Sequence, residues 1–349
     1  MDFPRFENLR WAQVFLFSES SKGEINMLIP VLWFAVGLVL LIKGGDWFVS
    51  GATGIAHRFH LPELLIGATV VSIGTTLPEV MVSATSALGG HGEMAYGNAI
   101  GSVICNTALI AALTVTIRPA PVDPNTLRKP VLFFFGTAAV YALTAYGTGY
   151  FSRGFGLILL VIFGLYLYTT IRDAFRNPEK PNLGQNVVAE GKKALARDIS
   201  LLVIGAALVA VGADLLVDNG TIIATALGVP ESVIALTVVA LGTSLPELVT
   251  AITALVQGHG ALSLGNVIGA NILNLVLVSG ISVTLAPFRV PCSSTLLGYN
   301  ASLILEIPMM LLVMGILTLP TLKTKKLSRW QGVTLLVLYA LFCGVQFMM

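Results

Sequence analysis

The sequence predicts an all-α polytopic membrane protein of ten transmembrane helices, built as two inverted five-helix repeats with helices broken at the midplane. Three observations carry this expectation. The 349 residues are 55% hydrophobic and only 11% charged, with a mean hydropathy of +0.86, whereas soluble domains carry about 25% charged residues. Continuous apolar runs of the ~20 residues that a bilayer core demands recur about ten times, and their lack of alternation excludes a β-barrel. Finally, residues 44–106 align with 212–274 at a constant offset of 168, without a gap and with 27 identities in 63 positions. Duplication is the only reasonable source of such a repeat, whose detection comes before any other reading of the chain.

Taken in order, the expected spans are 27–57, 63–89, 94–117, 130–148 and 153–173, then 198–226, 231–256, 262–287, 297–318 and 330–348. The first span of each set is long enough to tilt or break and carries glycine and an acid, Gly44 with Asp46 and Gly212 with Asp214. Residues 1–26 hold four acids against three bases and read as an N-terminal extension rather than a cleavable signal peptide. The first repeat is 27–173, a polar linker with Pro178, Pro181 and Gly184 is 174–197, and the second repeat is 198–349.

Five spans per repeat is an odd number, so the second copy enters the membrane inverted. With the N-terminus outside, fourteen Lys and Arg residues fall on cytoplasmic loops, including Arg58, Arg118, Arg172, Arg197 and Lys323, and five on the other face. That is a positive-inside bias. It places both termini away from the cytoplasm and the linker 174–197 within it. The net charge of +2 reflects this sorting and implies no nucleic-acid partner. Cys105, Cys292 and Cys343 are odd in number and widely spaced, which points to small core residues rather than disulfides or a zinc site.

The chemistry sits in a motif that occurs twice, Gly74-Thr75-Thr76-Leu77-Pro78-Glu79 and Gly242-Thr243-Ser244-Leu245-Pro246-Glu247. A carboxylate inside a membrane span is costly and marks function. A proline within a helix removes a donor and clashes with the carbonyl four residues back, so Pro78 is expected to free the carbonyl of Gly74, and Pro246 that of Gly242. Such backbone survives at membrane depth only inside protein or beside a wet cavity. Freed carbonyls, the hydroxyls of Thr75, Thr76, Thr243 and Ser244, and the carboxylates of Glu79 and Glu247 form an all-oxygen environment. Ca²⁺ takes about 6–8 oxygens at roughly 2.3–2.6 Å in a flexible shell. Matching broken helices in two halves read as one cation site shared between repeats.

A second block, Gly97-Asn98 to Asn106 and Gly265-Asn266 to Asn274, supplies the facing helix. Its GxxxG spacing allows close helix approach, and Asn106 and Asn274 offer neutral carbonyl ligands deeper in the membrane. Asp46 and Asp214 are expected to make helix-terminal or interhelical hydrogen bonds, and His91 and His259 to be solvated turn residues.

Both blocks and the 5+5 layout resemble the sodium/calcium exchanger family of the cation/Ca²⁺ exchanger superfamily, in its prokaryotic ten-helix form. The resemblance covers residues 27–349. It implies a secondary active antiporter, not an enzyme, working in a prokaryotic inner (plasma) membrane on Ca²⁺ and a monovalent counter-ion. No cofactor, nucleotide or nucleic acid is implied. Carried onto this chain, it implies Ca²⁺ ligands at Glu79 and Glu247 with Thr75 and Thr243. Flanking Na⁺ positions would use Ser72 and Ala240 through backbone carbonyls, Thr76, Ser244 and Ser102, and the level of Asn106 and Asn274. Two positions depart from the family pattern: Asn274 stands where close prokaryotic relatives carry aspartate, and Ala270 where serine is usual. The centre therefore has two formal negative charges rather than three.

Because carboxylates also bind protons, Ca²⁺/H⁺ exchange on the same fold is the alternative. The cation/proton branch typically shows GN-x-x-E in place of GT-x-LPE, which this chain does not. A cation channel is a more distant reading, and an intramembrane enzyme would want a His or Cys beside the glutamates.

Overall fold

The computed structural model describes residues 27–59, 61–176, 192–227, 242, 244–292, 295–296 and 298–348. It is mostly helical: α1 (Leu28–Arg58), α2 (Glu63–Leu88), α3 (Gly92–Ile117), α4 (Pro124–Thr148), α5 (Arg153–Arg176), α6 (Lys192–Ala226), α7 (Leu245–Val256), α8 (Gly260–Leu285), α9 (Ser302–Thr324) and α10 (Arg329–Met348). Among the described residues, eight of these are long and apolar enough to cross a membrane, and α7 is shorter. The protein is an integral membrane protein.

The duplication in sequence is a duplication in conformation. The π-helical turn Asn106–Ala111 inside α3 starts 168 residues before the π turn Asn274–Val278 inside α8. The helices end at Ile117 and Leu285 on residues of matching extended backbone, Arg118 (φ −136°, ψ 92°) and Ala286 (φ −140°, ψ 100°). The turns leading into α3 and α8 both need a left-handed glycine, Gly90 at φ 83° and Gly258 at φ 91°, a conformation that costs glycine nothing.

The two repeats meet most extensively where α1 crosses α6. A Cβ placed on Gly37 would lie 2.9 Å from the Gly212 carbonyl oxygen, and one on Gly212 would lie 2.8 Å from that of Gly37. Gly44 and Gly205 oppose each other in the same way, at 3.0 and 2.8 Å. Since 37 and 205, and 44 and 212, are 168 apart, these are one contact seen from both sides of a pseudo-twofold axis. Small residues at such crossings let backbones approach in a bilayer, where no hydrophobic force drives helices together.

Loop contacts sort the helix ends into two faces. Val122 N bonds Lys325 O (2.9 Å) and Leu327 N bonds Ala120 O (2.9 Å), while Arg58 pairs with Asp198 (3.2 Å) and Lys129 with Asp173 (2.7 Å). On the opposite face Tyr150–Phe151 pairs antiparallel with Phe288–Arg289. Each pairing joins loops that an inverted repeat puts on one side.

Burial separates centre from periphery. In the most apolar stretch, 83% of α8 and 72% of α3 is buried, against 28% of α1, α5 and α6. Gly265 and Gly269 of α8 press on the backbone of α2, their Cβ positions 2.2 Å from Leu64 O and 2.5 Å from Ala68 Cα. The close approach expected from GxxxG spacing is thus present for the second copy but not for the first, where nothing lies within 4 Å of a Cβ on Gly97 or Gly101.

Several boundaries move. The fourth helix starts at Pro124 rather than 130, because Asp123 caps it by accepting from Asn125 N (3.0 Å) and proline fits the first turn. The ninth starts at Ser302 rather than 297, after a short hairpin pairing Thr295–Leu296 with Tyr299–Asn300. Helix extends to Arg176 and resumes at Lys192, so the interior of the expected linker, 177–191, and the extension 1–26 lie outside the described residues. Cys105 is buried as expected, but Cys292 is exposed in the loop before α9.

Candidate functional site

The α2 helix brings the first motif to the centre, and its geometry differs from the expected break at proline. Residues Ser72–Leu88 form unbroken α-helix with Pro78 inside it, and the irregular backbone is a π turn one step earlier, Gly67–Val71. There α2 meets the backbone of α8. The Ala68 carbonyl is taken up by Tyr166 Oη of α5 (2.8 Å), the kind of partner that irregular backbone needs inside a membrane. In the second motif proline begins a helix instead. Ser244 is the N-cap of α7 and Pro246 lies in its first turn, where its missing N–H costs nothing.

Glu79 and Glu247 are both fully buried, at 0% exposure, and lie within electrostatic reach of each other. Thr76 Oγ1 donates to Glu247 Oε1 (3.4 Å). Among the described residues, neither oxygen of Glu79 has a hydrogen-bond partner, nor does Glu247 Oε2. The hydroxyl of Thr75 shares its one proton between Ser72 O and Asn266 Oδ1, both at 3.3 Å. Ser72, Thr75, Thr76, Ser102 and Ser244 are all buried, and Ser244 Oγ has no partner. Asn106 and Asn274 open the two π turns at 0% exposure, with both polar atoms of each unpartnered. An unpaired buried polar atom costs about 1–3 kcal/mol. Among the described residues, the oxygens of Glu79, Asn106, Asn274 and Ser244 and Oε2 of Glu247 are thus left without hydrogen-bond partners.

The structure therefore gathers Glu79, Glu247, Thr75, Thr76, Ser72, Ser102, Ser244, Asn106 and Asn274 in the buried interior of α2, α3, α7 and α8. Thr243 and Ala240 fall outside the described residues. Sequence reasoning missed the positioning layer. Asn98 Nδ2 donates to Ser83 Oγ (2.8 Å) and to Glu79 O (3.2 Å), and Asn266 Nδ2 donates to Thr250 Oγ1 (2.9 Å), whose own proton returns to Pro246 O (2.8 Å). Each asparagine thus ties the glutamate-bearing helix of its own repeat. Asn98 and Asn266 were legible as a repeat-matched pair. Asn271, bonded to Thr107 Oγ1 (2.7 Å), was not, because residue 103 in the first copy is valine.

Two further expectations change, at Cys105 and His259, while those for His91 and Asp46 hold. Cys105 lies beside Ser244 and within electrostatic reach of Glu247; it precedes Asn106 at the entry to the π turn. His259 is not a free turn residue: its Nδ1 is 2.8 Å from Glu63 Oε1, which His57 Nε2 also approaches at 3.5 Å. The hydrogen bond to Glu63 holds the His259 pKa above the usual histidine value. His91, its repeat counterpart, is exposed. Asp46 accepts from Gln257 Nε2 (3.4 Å) as an interhelical bond.

Over the acidic centre lie α1 and α6. Phe48, Ala206 and Val209 share a narrow cleft with Gly74, Thr75, Pro78 and Pro246.

Fold and centre together define a polytopic membrane protein with two inverted repeats around a buried pair of carboxylates. The chain belongs to the sodium/calcium exchanger protein family, whose model matches residues 29–172 and 198–348. It is 36% identical over 313 residues to a membrane protein of Methanocaldococcus jannaschii, covering 90% of this chain and 96% of the relative. It is 30% identical over 364 residues to the sodium/calcium exchanger MaX1 of Methanosarcina acetivorans, covering 93% and 99%. Among solved structures, it matches the sodium-calcium exchanger NCX_Mj soaked with 2.5 mM Na⁺ and 10 mM Sr²⁺, at TM-score 0.74 and 34% identity over 90% of this chain and 98% of that one.

Proposed function

We propose that the protein is a secondary antiporter that exchanges Ca²⁺ for Na⁺ by alternating access. The observation that carries this reading is the pair Glu79 and Glu247. They are two fully buried carboxylates from equivalent positions in inverted repeats, and the buried described residues include no lysine, arginine or histidine to neutralise them. Names of relatives support the ions: MaX1 and NCX_Mj are both sodium/calcium exchangers.

In this reading Ca²⁺ is held by Glu79 and Glu247 with Thr75 and Thr243. Na⁺ uses the surrounding oxygens of Ser72, Ala240, Thr76, Ser244, Ser102, Asn106 and Asn274. Ca²⁺ and Na⁺ compete for the same carboxylates, and that exclusion is what couples their movements. The gate is α1 with α6, which cross as one glycine-packed pair over the cleft beside Thr75 and shift against the centre to expose it to one side at a time. The membrane is a prokaryotic inner membrane, with both termini outside and the linker 174–197 inside; a 35% identical relative is the Escherichia coli inner membrane protein YrbG.

The test is ⁴⁵Ca²⁺ uptake by proteoliposomes of the purified chain, with Na⁺ and pH gradients imposed separately. Uptake driven by outward Na⁺ is expected. Uptake driven by the pH gradient alone would replace Na⁺ with H⁺, and uptake that runs down its gradient with neither would indicate a channel.

A further inference from the structure

We propose that Arg58 and Asp198 lock α1 and α6 in register, so that the two gate helices move as one body against the centre. The inference rests on the exchange reading above and names the residues that hold its gate together.

Among the described residues three carboxylates are buried, and the candidate ion centre uses two of them, Glu79 and Glu247. The third, Asp198, is 3% exposed near the start of α6. Its Oδ2 accepts from Arg58 Nη2 at the end of α1 (3.2 Å), and its Oδ1 lies 3.5 Å from Nη2 of Arg197, whose side chain is largely exposed. The backbone of α1 makes room for this carboxylate. A Cβ on Gly54 would lie 2.7 Å from Asp198 Cγ, and one on Gly51 would lie 2.6 Å from the Asp198 carbonyl oxygen.

The repeat places this arrangement at one end of the crossing only. The glycine contacts are duplicated, since Gly37 and Gly44 recur 168 residues on as Gly205 and Gly212. At the same offset Arg58 and Asp198 correspond to Ala226 and Pro30, whose side chains carry no charge, and Gly51 and Gly54 correspond to Asn219 and Ile222. The opposite end therefore has no equivalent of the ion pair.

A buried ion pair is a poor source of stability, because desolvating both charges offsets their attraction, and fixing register is its best-attested use. The crossing needs such a fix. Glycine faces bring backbone against backbone and leave few side chains to stop one helix sliding along the other. A slide of one turn, about 5.4 Å, would separate Arg58 from Asp198. They are thus positioning residues, remote from the ions and acting through the gate.

The experiment measures ⁴⁵Ca²⁺ uptake into Na⁺-loaded proteoliposomes of the full-length chain, read as maximal rate and half-saturating Ca²⁺. The double variant Arg58→Met with Asp198→Asn removes both charges and nearly keeps their shapes. It is expected to lower the maximal rate about tenfold or more, with half-saturating Ca²⁺ within about twofold of wild type and an unchanged melting temperature in detergent. Arg58→Lys, which keeps the charge, is expected to retain about half the wild-type rate or more. A wild-type rate in the double variant would overturn the proposal. So would a loss of rate that comes with a lower melting temperature or a matching rise in half-saturating Ca²⁺, since the pair would then be merely structural. If the double variant does not fold, Arg58→Gln is set against Arg58→Lys: a clearly slower Arg58→Gln sustains the proposal, and equal rates overturn it. Absence of Na⁺-driven uptake in the wild type would overturn the exchange reading and this proposal together.

Discussion

The two copies of the glutamate motif differ where their sequences are nearly the same. In α2 the helix runs straight through Pro78 after a π turn, and neither Glu79 oxygen has a partner among the described residues; in α7 the helix begins at Leu245 with Ser244 as its N-cap, and Glu247 accepts the Thr76 hydroxyl. The α1–α6 crossing, by contrast, is symmetric to within 0.2 Å in its glycine-to-glycine carbonyl contacts. A shared site facing one side at a time has to be asymmetric in any single state, whereas the crossing that moves as a unit does not. Asymmetry is concentrated where ions would bind and symmetry where the helices would pivot.

The largest effect that bears on this comparison comes from the glutamates. Glu79→Gln and Glu247→Gln are each expected to cut Na⁺-driven ⁴⁵Ca²⁺ flux by more than about 100-fold, since breaking a buried charge partnership costs about 3–5 kcal/mol. If either variant transports at the wild-type rate, the two repeats do not share one site. Next come the crossing glycines. Gly44→Ala and Gly212→Ala place equivalent methyls against backbone, and overpacking of this kind costs about 1–3 kcal/mol. Both are expected to lower thermal stability in detergent by similar amounts, and unequal losses would break the pseudo-twofold account.

Thr76→Val probes the asymmetry itself. Loss of a hydrogen bond to a charged group is worth about 1.5–3 kcal/mol, so apparent Ca²⁺ affinity in flux titrations is expected to fall about tenfold or more, with assembly unchanged. An unaltered affinity would mean that the Thr76–Glu247 contact does not bear on the site. The smallest effect is at His259. Its raised pKa means that the contact with Glu63 contributes stability fully below the ordinary histidine value of 6.5, and loses it as pH rises through the raised folded value. The contribution is about 1 kcal/mol or less. Histidine NMR titration is expected to show His259 above 6.5 in the wild type and lower in Glu63→Gln; the same midpoint in both would sink the pairing.

Much of this was legible in the chain. The offset of 168 located both motifs, both asparagines and the inversion, because a duplicated membrane fold repeats its polar exceptions at a fixed spacing. What stayed hidden had no repeat signal or depended on packing. Asn271 and Thr250 match apolar residues in the first copy. The π turn at Gly67–Val71 lies against α8 rather than at Pro78, and one proline motif falls inside a helix while the other starts one. The Glu63–His259 pair joins residues 196 apart, at ends that only the inverted topology brings together.

The central claim is that Glu79 and Glu247 form one cation site between them. Equilibrium ⁴⁵Ca²⁺ binding to the purified chain tests it most directly. The account predicts one Ca²⁺ per chain, displaced by Na⁺ and lost in Glu79→Gln and Glu247→Gln alike. Two Ca²⁺ per chain, with each single variant retaining one, would contradict it.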